Sequence, residues 1–188
     1  MIHHPFPIIL GLGSNLGAGR ETFDQACAML ERIGVRVDGR SRLYRARPWG
    51  VSGQPDYLNA ALAVSTARRP LELLDLCRHV EFELGRRRRR RWGARRLDMD
   101  IVLYGRLRLD HPRLRLPHPR IGRRDFVIAP LIDLGVPPDP RVAPGGWRAL
   151  LSAVSPAERV IYHSEPWIAR PEDRAGCQKT EVKRMPRM

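Results

Sequence analysis

Lysine is almost missing from this chain. Of 34 Lys and Arg residues only Lys179 and Lys183 are lysines, so every other basic side chain is a guanidinium. No Gly-x-x-x-x-Gly-Lys-Ser/Thr phosphate loop can be written anywhere in it, and a Schiff-base lysine in the folded part is excluded. Cysteine is scarce as well. Cys27, Cys77 and Cys177 lie far apart with no Cys-x-x-Cys pair, which argues against a zinc ribbon or redox motif and for reduced thiols in a cytosol. Cys27 and Cys77 fall on apolar helical faces and read as core. Of the six histidines, His3, His4, His79, His111 and His163 have no metal-site spacing, and no internal repeat is present. The apolar run Ile8 to Leu12 is too short for a signal or a membrane span, and no basic region precedes Arg20. These features read as a soluble cytoplasmic protein.

What the chain has is charge of one sign. Its 34 basic residues against 20 acidic ones leave a net +14, which implies anionic partners: nucleotide, nucleic acid or acidic lipid. The 188 residues suffice for one domain with a real core. That domain is expected over 1–162, and the polar, aperiodic stretch 163–188 reads as a mobile tail.

Phe6 to Gly13 reads as a buried first strand ending in a glycine turn. In Gly11-Leu12-Gly13-Ser14-Asn15-Leu16-Gly17 a leucine stands where a dinucleotide fingerprint needs its third glycine, so the turn reads as a close backbone approach to a ligand. Phe23, Ala26, Cys27, Leu30 and Ile33 recur at helical spacing until Gly34. Val35 to Tyr44 is expected as one strand, 45–55 as a proline- and glycine-rich loop, and Tyr57 to Thr66 as a strand with Tyr57 and Asn59 on one face. Pro70 opens a helix whose apolar side carries Leu73, Leu74, Cys77, Val80 and Leu84, with Arg78 and Glu81 off it. Beyond residue 104, Gly105 to Asp110 reads as a short hairpin return and Leu116 to Arg120 as a rigid turn. An apolar run covers Phe126 to Leu134, and Trp147 to Val154 reads as a short helix. Strands and helices intermix without regular alternation, the pattern of an α+β layer architecture with a mixed sheet.

The centre of the chain carries the chemistry. Six consecutive arginines, Arg86 to Arg91, lead through Trp92 into Leu97-Asp98-Met99-Asp100-Ile101-Val102-Leu103-Tyr104. The β-branched, apolar end of that run and Gly105 after it favour a strand. Asp98 and Asp100 then share a face, about 7 Å apart, while Met99, Ile101 and Leu103 point into a core. Two carboxylates on an otherwise apolar strand are costly to bury without a partner. Hard oxygen ligands of this kind suit Mg²⁺, which completes its shell with water and substrate phosphates. Arginine adds a planar bidentate fork for phosphate, so the stretch reads as a polyphosphate clamp. A nucleic-acid module would explain the arginines through phosphate contacts but leaves the aspartates unexplained, and the run lacks the interleaved aromatics of a single-strand stacking platform.

Residues 91–102, Arg-Trp-Gly-Ala-Arg-Arg-Leu-Asp-Met-Asp-Ile-Val, resemble the signature of the 6-hydroxymethyl-7,8-dihydropterin pyrophosphokinase family. Other segments fit in order: Gly11 to Leu16, Tyr44 to Gly50, Gln54-Pro-Asp-Tyr57-Leu-Asn59-Ala60-Ala61, Glu81 to Arg86, and Pro117-His118-Pro119-Arg120. The resemblance covers roughly residues 7–160. It implies a single α+β domain with a ferredoxin-like core and a mostly antiparallel sheet with helices on both faces. It implies transfer of the β,γ-diphosphate of ATP to a pterin hydroxymethyl group with release of AMP. ATP and the pterin would be the partners, rather than nucleic acid or membrane.

By the same resemblance Asp98 and Asp100 would hold two Mg²⁺ ions. Arg86, Arg88 and Arg95 would contact phosphates, and Trp92 would move with the arginine loop over both reactants. Arg113, His118 and Arg124, with Glu81 and Ile101, would line the nucleotide side. The pterin would lie between Tyr57 and Phe126, its polar edge meeting Asn59, Asp98 and the backbone near Gly13 and from Ala46 through Arg47 to Trp49. Ala46 stands where the family usually has threonine and Arg78 where it often has glutamine. The run is solid arginine where relatives mix residue types, so the resemblance assigns no role to Arg87, Arg89 and Arg90 beyond adding to the local positive potential.

Overall fold

A computed structural model of the chain describes residues 6–48, 53–85 and 95–167. The elements run β1 (Ile8–Ser14), α1 (Gly19–Arg32), β2 (Arg36–Arg40), β3 (Leu43–Ala46), β4 (Tyr57–Ser65), α2 (Pro70–Glu83), β5 (Asp98–Tyr104), β6 (Leu109–His111), β7 (Leu114–Leu116), α3 (Asp125–Asp133), α4 (Gly146–Ala153) and β8 (Ile161–Glu165). One sheet has the order β5-β1-β4-β3-β8, with β2 also on β4. Its recorded pairings are all antiparallel, which narrows the expected mixed sheet. The order β1–α1–β2/β3–β4–α2–β5 is the split β-α-β-β-α-β arrangement, and the chain is an α+β domain.

Each face of the sheet has its own core. Leu10, Leu12, Leu62, Met99 and Ile101 pack under Phe23, Cys27 and Leu30 of α1 and Leu73, Cys77 and Val80 of α2. On the opposite face Ile9, Val102 and Leu103 meet Ile128 and Leu131 of α3 and Trp147 of α4. The helices end as the sequence indicates. Gly34 and Gly85 take φ of +83° and +90°, and Pro70 sits at the start of α2, where Glu72 Oε2 accepts the Arg69 N–H at 2.8 Å.

Several expectations are corrected. The strand expected over Val35–Tyr44 is two strands. At Ser41 the hydroxyl oxygen, in place of a backbone carbonyl, accepts the Ala61 N–H at 2.9 Å, and the ladder breaks there. Leu103 does not share a core with Met99 and Ile101. Ile9 faces Leu103 and Leu10 faces Ile101, so Val102 is an extra residue on β5, and this bulge reverses the strand's parity. The hairpin return lies later than Gly105–Asp110, as β6 and β7 paired from Leu109 to Leu116. Glu81 is not off the buried side of its helix. It is 3% exposed, and its Oε1 accepts the Met99 N–H at 2.7 Å.

The boundary at 162/163 also moves. β8 pairs with β3 through Glu165, and Trp167 is only 6% exposed. Its ring packs 5.7 Å from that of Phe23, beneath the Arg40 guanidinium, and its indole N–H donates to Asp24 Oδ1 at 2.9 Å. A polar composition misleads here because an edge strand needs an apolar residue only where it turns inward. The fold therefore includes residues to 167, and the rest of the expected tail lies outside the described residues.

Candidate active site

The α3-facing side of the sheet has a gap in its packing where β1 carries Gly11 and Gly13 and β4 carries Ala61. Gly13 lies between Asn59 of β4 and Asp98 of β5, and Gly11 between Ala61 and Asp100. These two rows form the floor of a cleft. Adjacent strands are about 4.8 Å apart, so Asn59 and Asp98 flank the glycine at roughly 10 Å. A side chain at Gly11 would crowd the floor, since a Cβ there would stand 3.1 Å from Val102 Cγ2.

The Val102 bulge also shapes the rim. Its carbonyl accepts the His118 N–H at 2.9 Å, which brings the Pro117–Arg120 turn, entered through a cis Leu116–Pro117 bond, to the cleft. His118 Nδ1 accepts the Arg120 N–H at 3.2 Å, so the ring's proton belongs on Nε2. Burial, reinforced by Arg124 and Arg120, pushes the imidazole down to about 4, and the ring is neutral at pH 7. On the next segment, Arg124 lies 5.4 Å over the ring of Phe126. Burial lowers its pKa against the opposing pull of Asp100 and Asp98. Pro130, also at the cleft, withholds the N–H that would otherwise pair with the Phe126 carbonyl.

The carboxylates and guanidiniums face one another. Asp98 Oδ2 takes the Arg95 guanidinium at 2.6 Å in a partly exposed pair. Burial works against the charge of Arg95, but Asp98 outweighs it and the pKa is raised. Asp100 is exposed. Two same-face acidic side chains reaching solvent, with cationic groups behind them, form a donor set that fits Mg²⁺, which needs only one or two carboxylates from the protein. On the opposite wall Tyr57, its pKa raised by burial, donates its hydroxyl to Gln54 Oε1 at 3.2 Å. Asn59 is buried, and its Nδ2 has no hydrogen-bond acceptor among the described residues. A buried donor without an acceptor is costly to keep, and a ligand in the cleft could satisfy it.

The structure brings most of the expected residues together. Arg95, Asp98, Asp100, His118 and Arg124 line the cleft together with Gly13, Ala46, Arg47, Tyr57, Asn59 and Phe126. Glu81 and Ile101 do not line the cleft; both lie on the α1/α2 side of β5. Arg113 is turned to Asp75 on α2. Trp49, Arg86, Arg88 and Trp92 lie outside the described residues. Asn15 and Gln54 had been given no role by the sequence. Asn15 Oδ1 accepts the Arg95 N–H at 2.7 Å and its Nδ2 donates to Gln54 at 3.1 Å, joining the Arg95 and Tyr57 walls. The only signal for them was their place inside motifs quoted for other residues.

An acidic pair facing arginines beside an aromatic-walled pocket has the parts of a phosphate-transfer site for a small planar acceptor. A family model described as 7,8-dihydro-6-hydroxymethylpterin-pyrophosphokinase matches residues 9–136, and the chain belongs to that family. A Pseudomonas aeruginosa protein named 2-amino-4-hydroxy-6-hydroxymethyldihydropteridine pyrophosphokinase is 41% identical over 154 residues, covering 81% of this chain and 94% of its own. A protein of the same name from Methylorubrum extorquens is 40% identical over 154 residues, covering 80% and 96%. The mitochondrial folate synthesis bifunctional protein of Arabidopsis thaliana is 40% identical over 127 residues, 68% of this chain but 23% of its own length. The chain thus spans nearly all of those two bacterial relatives and about a quarter of the plant one.

Proposed function

We propose that this chain transfers the β,γ-diphosphate of ATP to the hydroxymethyl group of 6-hydroxymethyl-7,8-dihydropterin. The pterin hydroxyl releases its proton to solvent as its oxygen bonds the β-phosphorus, the bond from that phosphorus to the α-phosphate oxygen breaks, and AMP leaves with the pterin diphosphate as the other product. The observation that carries this reading is the row Asn59–Gly13–Asp98. It sets an unpaired buried amide donor and a carboxylate on either side of a residue without a side chain. A flat heterocycle with an acceptor on its ring edge matches that row, and Tyr57 and Phe126 supply the faces against which it would stack.

Asp98 and Asp100 would hold two Mg²⁺ ions, which when bound neutralise phosphate charge and align the reacting oxygens. The protein's own part is positioning and charge complementarity, since phosphoryl-type transfer asks for little covalent help. Arg95, held by Asp98, would offer its remaining N–H donors to the triphosphate. Arg124 stands with its charge incompletely solvated, so an anion would gain more from it than from a surface arginine. His118, neutral with a proton on Nε2, would act as a hydrogen-bond donor and not as a cation. Arg86, Arg88 and Trp92 would close the phosphate side and exclude water that competes with the hydroxyl. Arg113 would have to leave Asp75 to reach the nucleotide. Both co-substrates are small soluble molecules, as expected of a cytoplasmic enzyme, and among the described residues no helix is long and apolar enough to cross a membrane.

The test is direct. Purified protein is incubated with ATP, Mg²⁺ and the reduced hydroxymethylpterin, and AMP is quantified. Pterin-dependent AMP is expected; AMP at equal rate with and without pterin, or none, defeats the assignment.

A further inference from the structure

The pterin wall of the cleft draws on three segments of different elements: Ala46, Arg47 and Pro48 at the end of β3, Gln54 and Tyr57 around the start of β4, and Phe126 in the first turn of α3. Three consecutive residues near the C-terminal end of the fold reach all of them. The Val160 carbonyl accepts the Arg47 N–H at 3.0 Å. The N–H groups of Val160 and Ile161 both donate to Asp125 Oδ2, at 2.8 and 3.0 Å, while Asp125 Oδ1 accepts the Phe126 N–H at 2.7 Å. The third clasp comes from a slip in register. Arg45 faces His163 but Ala46 faces Ile161, so Tyr162 is an extra residue. A bulge re-aims its side chain, and the Tyr162 hydroxyl, on a residue 52% exposed, donates to Asp56 Oδ2 at 2.8 Å. Asp56 directly precedes Tyr57. Residues 160–162 lie outside the 9–136 stretch that the family model matches.

We propose that residues 160–162 form a belt that sets the width of the pterin pocket, with Asp125 and Tyr162 as positioning residues for a substrate they do not touch. The proposal rests on the pterin reading above. Asp125 is 4% exposed and accepts three backbone N–H groups. Charge-assisted bonds of that number leave it little freedom, so the separation between the Arg47 and Phe126 walls is fixed through the single residue Val160. Asp98, Asp100 and Arg95, by contrast, hang on β5 and the residues before it. Loosening the belt should therefore weaken the grip on the pterin ring, because stacking contacts fall off as the walls separate, and leave the nucleotide side in register, where Arg124 keeps its own backbone bonds to Ile121, Val127 and Ile128.

The full chain and its Tyr162→Phe and Asp125→Asn variants are compared. Pterin-dependent AMP formation gives kcat and the pterin KM, and titration with a fluorescent ATP analogue in Mg²⁺ without pterin gives nucleotide affinity. The pterin KM is expected to rise about threefold in Tyr162→Phe and about tenfold in Asp125→Asn, the scale of one solvent-exposed hydrogen bond and one buried charge-assisted one. Both kcat and nucleotide affinity should stay within about twofold, as for a loss of binding common to ground and transition states. Tyr162→Phe removes one exposed hydroxyl and should leave the melting temperature unchanged, so a parent-like pterin KM in that variant overturns the belt. Parallel losses of pterin and nucleotide affinity in Asp125→Asn overturn it too, because general loosening would then be the cause. Absence of pterin-dependent AMP in the parent chain is a different failure, read before either variant, and removes the functional reading itself.

Discussion

Replacing His118 by glutamine should make the protein more acid-resistant. The imidazole is pushed down to about 4, first by burial and then by Arg124 and Arg120, whereas in the unfolded chain it titrates near 6.5. Between those values the unfolded chain binds a proton that the native ring refuses. Native stability is thus complete above about pH 6.5 and drains away as pH falls toward 4, where the native ring also protonates. The gap between 6.5 and about 4 is worth at most about 3 kcal/mol. Glutamine keeps an acceptor for the Arg120 N–H but does not titrate. Urea unfolding of parent and His118→Gln, followed by tryptophan fluorescence in steps from pH 7.5 to 3.5, isolates the effect, because other groups cancel in the difference. That difference should shift by about 3 kcal/mol in favour of the variant over this window. A flat difference, or one centred near pH 6.5 in an NMR titration of the ring, would refute the claim that the folded cleft keeps this histidine uncharged.

Asp100→Asn should lower turnover by about a thousandfold or more, the scale of losing a metal-binding or oxyanion-type group. Its melting temperature should stay close to the parent's, since Asp100 is exposed; near-normal kcat would remove the metal role. Asn59→Leu should raise the pterin KM while leaving stability equal or about 1 kcal/mol higher, because it deletes a buried donor that has no acceptor. Loss of stability without a change in KM would mean that Asn59 serves the fold and not the ligand. Trp167→Ala should cost about 3–5 kcal/mol in denaturant unfolding, given its burial against Phe23 and Arg40; an unchanged midpoint would return residue 167 to a tail.

The architecture was legible where local chemistry is strong. Helical spacing from Phe23 to Leu30 and from Leu73 to Val80, stopped by glycines, specified α1 and α2, and Asp98 and Asp100 could be placed on one strand face from parity alone. Illegible features depended on partners far away in the chain. Nothing in Val35–Tyr44 announces that Ser41 will take the acceptor role at Ala61. The reversal at Val102 needs the register of β1, which is a pairing and not a pattern. Glu81 looked like a surface residue by spacing, and is buried because the backbone of Met99 offers it a donor. In the site, residues with distinctive chemistry were visible one by one. Asn15 and Gln54 were not, since an amide's role is set by what lies beside it.

The added residue at Val102 gives β5 two phases. Up to that point alternate side chains serve the acids; beyond it they serve the packing around α3. Deleting Val102 would leave Ile101 opposite Leu10 and Leu103 opposite Ile9, so the aspartates and Leu103 would keep their faces in a plainly alternating strand, but the carbonyl that accepts the His118 N–H would be gone. The extra residue therefore serves the rim of the cleft more than the core: a chain without Val102 should keep its sheet and lose the anchor of the Pro117–Arg120 turn.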